Sequence, residues 1–221
     1  QAIRNSELHD PKLGFYKTSA SLEDAPFEIG RVHAFTKGWL ERECNFLHMT
    51  YKYLLGLLKD ERYEDFYQEA KVNFVCFMDP HVYGRDPAEA SSFLVPSNNP
   101  DSSKWGQGFE ARLTGANAEF MEMVVLLFFG EHLFSMENGL LTFHLEPKLS
   151  HEFFDEKKQA SFLLLGKTKV TYHNPHDLDL YQEGVHFVYQ IEGKSYSCVC
   201  GELAERIREG KVQEIDVEVL S

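Results

Sequence analysis

"ARLTGANAEFMEM", residues 111–123, is the stretch on which the reading of the fold turns. A polar pair, Thr114-Gly115, leads into a run that continues through Val124, Leu127 and Phe129 before Gly130 stops it. Thr114 suits an N-cap, because its hydroxyl accepts from an exposed helix N–H. Gly115 lets a ligand approach the backbone closely. The first amides of a helix carry partial positive charge and point outward, which makes an anion site. A plain helix cap uses the same two residues. The helix that follows, from Gly115 or Ala116 to Gly130, places Phe120, Met121, Met123, Val125, Leu127 and Phe129 all around its axis. A helix apolar on every side is expected to be buried on every side. It therefore calls for more helices around it than two.

Working outward, apolar Trp39, Leu40, Phe46, Leu47, Tyr51, Leu54, Leu55 and Leu58 fall at helical spacing, which predicts a helix over 39–59. A second is predicted over 63–77, with Tyr63, Phe66, Tyr67, Ala70, Phe74 and Phe77 inward. The short polar link 59–62 makes the two an antiparallel pair. Residues 79–113 carry Pro80, Pro87, Pro96 and Pro100 with Gly84, Gly106 and Gly108, and read as one long irregular loop of the kind that is usually functional. Beyond residue 138 the period changes to two. Strands are predicted at 140–145, 161–165, 167–172, 185–191, 195–199 and 212–219, with a hairpin turn at Glu192-Gly193-Lys194 and a short helix at 202–209. The expected class is α+β. Residues 1–135 form a helical domain with site loops, and residues 136–221 an antiparallel, sandwich-like β domain.

Composition narrows the function. Lys plus Arg is 22 against 35 Asp plus Glu, a net charge of −13. A field of that sign disfavours nucleic acid and anionic membranes as partners. An anionic substrate then needs a local cationic or amide-lined pocket. Four cysteines, with no C-x-x-C, read as free thiols in a reducing compartment, so a cytoplasmic location is expected. Cys198 and Cys200 fall on one face of a strand, where they do not easily pair. No apolar run reaches the ~20 residues of a membrane span, and no signal peptide is visible. Gln1 opens the chain in mid-pattern, as a processed or incomplete chain would.

Three stretches invite chemistry. "LERECNFLHMTYKY", residues 40–53, places His48 at a helix start after Glu41 and Glu43; a histidine packed among aromatics and tied to a carboxylate reads equally well. "YGRDPAEASSF", residues 83–93, offers Arg85 in a turn and Ser91 and Ser92 beyond it; an ordinary loop with an arginine is the plain alternative. The third is Thr114-Gly115, with Arg112 as an added charge or a structural ion pair. His173 and His176 lack a third metal ligand, so neither a metal nor any other cofactor is expected. No G-x-S-x-G or Ser/His/Asp signature appears.

These stretches, taken in order, resemble the C-terminal third of inverting glycoside phosphorylases of the cellobiose phosphorylase type, glycoside hydrolase family 94. The resemblance is to the branch with 1,2-β-oligoglucan phosphorylase-like proteins, and it covers nearly the whole chain. The family has a stretch like Glu-Asn-Gly-x-x-Phe-x-His before a helix; "ERECNFLH", residues 41–48, keeps Glu41, Phe46 and His48. It has a stretch like Leu-Thr-Gly-x-Ala-x-Trp at a helix start; "LTGANAEF", residues 113–120, keeps Leu113, Thr114 and Gly115, with Glu119-Phe120 at the aromatic position. "YGRDPAEASSF", "WGQGFEARLTG" and "GKTKVTYHNP" are similar to further blocks of that branch.

The resemblance implies the last helices of an (α/α)6 barrel followed by a small β domain, and reversible phosphorolysis of a β-linked glucose oligosaccharide to an α-sugar 1-phosphate. His48, Thr114 and Gly115 would bind phosphate, which is substrate rather than cofactor. Arg31, Glu41, Arg85 and Ser91 would line the sugar site, and Glu28 and His33 fall in a stretch matching the same branch. The partners implied are the oligosaccharide, phosphate, the remainder of the barrel and a second copy, since family members are often dimers. Phosphate is its own nucleophile, so one general acid suffices. That aspartate lies earlier in the family, and residues 1–40 hold nothing like its motif; this chain alone is not expected to be an active enzyme. The alternatives are an inverting β-glucan hydrolase, using Glu41, Glu43 or Glu119 to activate water, and a non-catalytic carbohydrate-binding or assembly subunit presenting Tyr83, Phe93 and Trp105.

Overall fold

A computed structural model describes residues 2–86, 88, 90–111 and 114–221, apart from the side chain of Ala111. The class is mixed α and β, in two compact units, Gln1–Met123 and Val124–Ser221. The division falls inside a helix and not near residue 135, because the apolar helix that leaves the first unit also begins the second.

In the first unit, β1 (Asn45–Phe46) runs directly into α1 (Leu47–Lys59). Leu47, Tyr51, Leu54, Leu55 and Leu58 form one buried stripe along α1, at the spacing that builds an amphipathic face. The helix begins at Leu47 and not at Trp39. Leu40 and Glu43 adopt left-handed φ values of 50° and 55°, which no α-helix admits. The apolar residues of 39–46 are used elsewhere: Trp39, Leu40, Cys44 and Phe46 pack with Phe93, Val95 and Phe109. α2 (Tyr63–Asn73) packs against α1 and ends before Phe74, and Phe77 beyond it is exposed where an inward position was expected. The Asn73 side-chain amide donates to the Glu69 carbonyl.

The expected long loop is largely structured. It holds α3 (Pro80–Tyr83), β2 (Ser91–Leu94) and β3 (Gly108–Ala111), and the order β1-β2-β3 makes an antiparallel sheet with Phe46 opposite Phe93 and Phe93 opposite Phe109. Tyr83 and Phe93 are buried and Trp105 half-buried, its indole N–H donating to the Asn99 carbonyl. None is the open aromatic surface expected of a sugar-binding loop.

α4 (Thr114–Phe129) crosses from one unit to the other. It is not sealed on all sides: Ala116, Met123 and Leu127 are buried, while Met121 and Val125 are 60% and 42% exposed. In the second unit β4 (Phe134–Glu137) and β5 (Leu140–Phe143) meet at Asn138-Gly139, both with positive φ, as a two-residue hairpin turn requires. β6 (Gln159–Leu164), β7 (Thr168–His173), β8 (His186–Ile191) and β9 (Lys194–Tyr196) follow. β10 (Val199–Cys200), α5 (Glu202–Arg208) and β11 (Glu214–Leu220) complete the chain. The two sheets of this unit run β10-β5-β4 and β6-β7-β11-β8-β9. The expectation of a purely antiparallel domain is corrected here. β11 inserts between β7 and β8 and pairs parallel with β7, because β7 and β8 run in opposite directions and a strand between them must be parallel to one of the two. Ile215, Val217 and Val219 on β11 are fully buried and close the core.

No helix among the described residues is long and apolar enough to cross a membrane. The four thiols are free, and burial pushes the Cys44 thiol well above its ordinary range. Ile215 carries the packing of the central strand, so Ile215→Ala in the native protein should destabilise by about 2–5 kcal/mol. Urea unfolding should show a lower midpoint with an unchanged slope; an unchanged midpoint would mean that β11 is not the centre of the sheet.

Candidate functional site

Two helix starts meet in the first unit. His48 is the second residue of α1, and Gly115 the second of α4. A Cβ built on Gly115 would stand 2.5 Å from both Cε1 and Nδ1 of His48 and 2.8 Å from its Cγ. No side chain tolerates such an approach, so the imidazole lies where only a glycine backbone leaves room. One turn further along α4, Glu119 places Oε1 3.3 Å from His48 Nε2. The His48 and Glu119 side chains retain 27% and 16% of their exposure, so the pair is withdrawn from bulk water yet reachable by a solute.

The surroundings explain the placement. Trp39 stacks on Phe109 at 3.8 Å, Phe109 on Phe93, Phe93 on Phe46, and Phe46 meets the His48 ring edge-on at 6.0 Å. This aromatic column ties the three-stranded sheet to the first turn of α1. On the other side Tyr51, Phe74 and Phe120 pack together and hold α1 against α4, with Tyr51 Oη accepting from the Val75 amide. Burial pushes the Tyr51 hydroxyl up, so it stays protonated. A cleft of about 130 Å³ opens beside this cluster, lined by Tyr51, Cys76, Ala90, Asn117 and Phe120. It is well short of the ~300 Å³ at which small-molecule pockets begin. Cys76 is exposed at the edge of this cleft, and partial desolvation raises its thiol.

Phe46 precedes α1 and gives it no side-chain cap. Thr114 is exposed and is itself the first residue of α4; Arg112 and Leu113 lie outside the described residues. A protonatable imidazole, a hydroxyl and helix-start N–H groups are donors suited to an oxyanion.

The other expected residues are placed differently. Arg31 and Glu41 meet each other, Nη2 to Oε1 at 2.6 Å, as a largely exposed ion pair. Arg85 is half-buried in the turn after α3. Ser91 is buried, its hydroxyl 2.7 Å from Tyr83 Oη, and its amide donates to the same oxygen. That is a structural clasp beneath Gly108, whose missing Cβ leaves room for the Tyr83 ring, and Ser91 offers no hydroxyl to a sugar. Glu43 is also enclosed, accepting from the Leu22 amide and from Asn98 Nδ2, with Lys37 Nζ at 3.6 Å. His33 is engaged with the Ala25 carbonyl and His173 with Asp216. Among the described residues no group of three or more His, Cys, Asp or Glu is arranged to hold a metal ion.

Glu119 was expected only as a possible base of the hydrolase alternative; its pairing with His48 was not foreseen. Its only signal was its spacing of one helical turn from Gly115, and its partner lies 71 positions away. No protein-family model matches the chain, and no curated protein matches its sequence. Function therefore has to be argued from the site.

The glycine is testable without a ligand. In a helix interior Gly→Ala normally stabilises by ~1 kcal/mol. Gly56, inside α1 with open space at its Cβ, should behave so. Gly115→Ala should instead destabilise, and should turn stabilising once His48→Ala has removed the ring. Urea midpoints of the four variants check this; the same sign at Gly56 and Gly115 would remove the close approach.

Proposed function

We propose that this chain supplies the phosphate-binding side of an inverting glycoside phosphorylase acting on β-linked glucose oligosaccharides. The single observation that carries the reading is the packing of His48 on Gly115, the residue after Thr114; the resemblance assigns all three to phosphate. A second observation supports it. The glycine of the Glu-Asn-Gly-x-x-Phe-x-His pattern falls on Glu43, and Glu43 keeps a glycine-like φ of 55°.

In this reading α1, α2 and α4 are staves of an (α/α)6 barrel, and the second unit is the small β domain that follows it. The exposed face of α4 at Met121 and Val125 is consistent with further helices packing there. Phosphate held by His48, the Thr114 hydroxyl and the α4 amides is oriented for in-line attack on the anomeric carbon. A bond forms from a phosphate oxygen to C1 as the glycosidic C1–O bond breaks on the opposite face, which inverts the configuration. The departing sugar oxygen takes its proton from a general acid outside residues 1–221. The exposed Arg31–Glu41 pair remains a candidate for sugar hydroxyls, and Ser91 does not.

One observation favours a second reading. Glu119 is a carboxylate at the site itself, whereas Glu43 is enclosed and Glu41 is paired with Arg31. An inverting hydrolase needs such a group to activate water. The assay that separates the two uses the native full-length protein with a β-linked glucose oligosaccharide, with and without phosphate. Sugar 1-phosphate formed only with phosphate supports phosphorolysis, and free sugar released without phosphate sinks it. His48→Ala and Thr114→Val should each raise KM for phosphate about tenfold or more, the loss of one charge-assisted hydrogen bond. KM for the oligosaccharide should stay nearly unchanged; an equal rise in both constants would remove the assigned roles.

A further inference from the structure

The carboxylate beside His48 has a consequence for which anion can bind. We propose that Glu119 makes this site select an oxyanion that carries its own proton, phosphate or arsenate, over one that carries none, such as sulfate. The proposal rests on the phosphate reading of the same site.

An imidazolium and helix-start amides alone attract any tetrahedral anion, and phosphate and sulfate are nearly the same size. Glu119 breaks that equivalence. An ionised carboxylate is an acceptor only, with two oxygens and about four lone-pair sites, more than one imidazole N–H uses. Oε1 stands 3.3 Å from His48 Nε2, and the side chain is mostly withdrawn from water. Gly115 and Glu119 are four apart on α4 and so share one face of the helix; an anion held beside Gly115 would face this carboxylate. Phosphate at neutral pH still carries at least one O–H, which donates to the carboxylate and turns a repulsion into a hydrogen bond. Sulfate has no proton to give and meets two acceptors face to face. The pairing also offsets the positive charge of a protonated His48, so a bare dianion gains less there. In a chain of net charge −13 the overall field offers no compensation.

The test titrates the native full-length protein with phosphate, arsenate and sulfate by calorimetry, for the wild type, Glu119→Gln and Glu119→Asp. The wild type should bind phosphate and arsenate and discriminate against sulfate by roughly 10- to 100-fold, the worth of one hydrogen bond to a charged group. Glu119→Gln, whose amide can donate, should bring sulfate to within a few-fold of phosphate. Glu119→Asp keeps the acceptor and should keep the preference. Equal binding of sulfate and phosphate by the wild type overturns the proposal while leaving a phosphate site in place, and so does an unchanged ratio in Glu119→Gln. The wild-type ratio decides the matter even if a variant does not fold. Failure of the wild type to bind any of the three overturns the phosphate reading itself, and the proposal with it.

Discussion

The imidazole of His48 against the backbone of Gly115 is the contact on which the first unit depends. It sets how closely the starts of α1 and α4 approach, because no side chain at position 115 could share that space. Everything around it serves to hold the ring there. The column Trp39–Phe109–Phe93–Phe46 reaches it from the sheet, and the Tyr51–Phe74–Phe120 cluster fixes the helices behind it. Glu119 engages the far ring nitrogen. A functional group placed by stacked rings, close packing and one hydrogen bond is held from three directions, which is the kind of support that keeps an oriented site from drifting.

That arrangement also explains why the segment between the helices is ordered. Residues 79–113 look like loop because their strands are four residues long and set among prolines and glycines. Their order comes from non-local contacts. Phe93 and Phe109 complete the column under Phe46, and the Tyr83 hydroxyl serves both the amide and the hydroxyl of Ser91. Gly108 is needed there for the same reason as Gly115, since an aromatic ring occupies the space that a Cβ would take.

What could be read from the sequence follows the range of the forces involved. The lower part of α1, α2, α4, α5 and most strands of the second unit are local periodicities that stand within a few residues of where the pattern puts them; β4 is a strand the pattern did not show. Trp39–Phe46 misled because its apolar spacing suits a helix as well as a sheet core, and only the left-handed Leu40 and Glu43 decide between them. The parallel pairing of β11 with β7 is not in the period at all, since alternation reports faces and not direction. His48, Thr114 and Gly115 were recognisable as candidates because each is a donor, or a permissive backbone, at a helix start. Ser91 was not separable from a ligand-facing serine until its burial was known. Glu119 is one polar residue on an apolar helix, and its meaning comes entirely from a histidine in another element.

Two acidic side chains of the first unit follow a common logic. At Glu43 the backbone keeps a glycine-like conformation although a side chain is present, a conformation that costs an L-residue ~1–2 kcal/mol. The side chain offsets that cost by hydrogen bonding to Leu22 and Asn98 across the loops that flank the site. At Glu119 the carboxylate takes up the ring nitrogen of His48. In both places an acid binds a neighbour. The first acid is enclosed and acts on loop geometry; the second remains reachable and acts on whatever enters beside Gly115. Of the two acids, Glu43 is closed off and Glu119 is the one that a solute can reach.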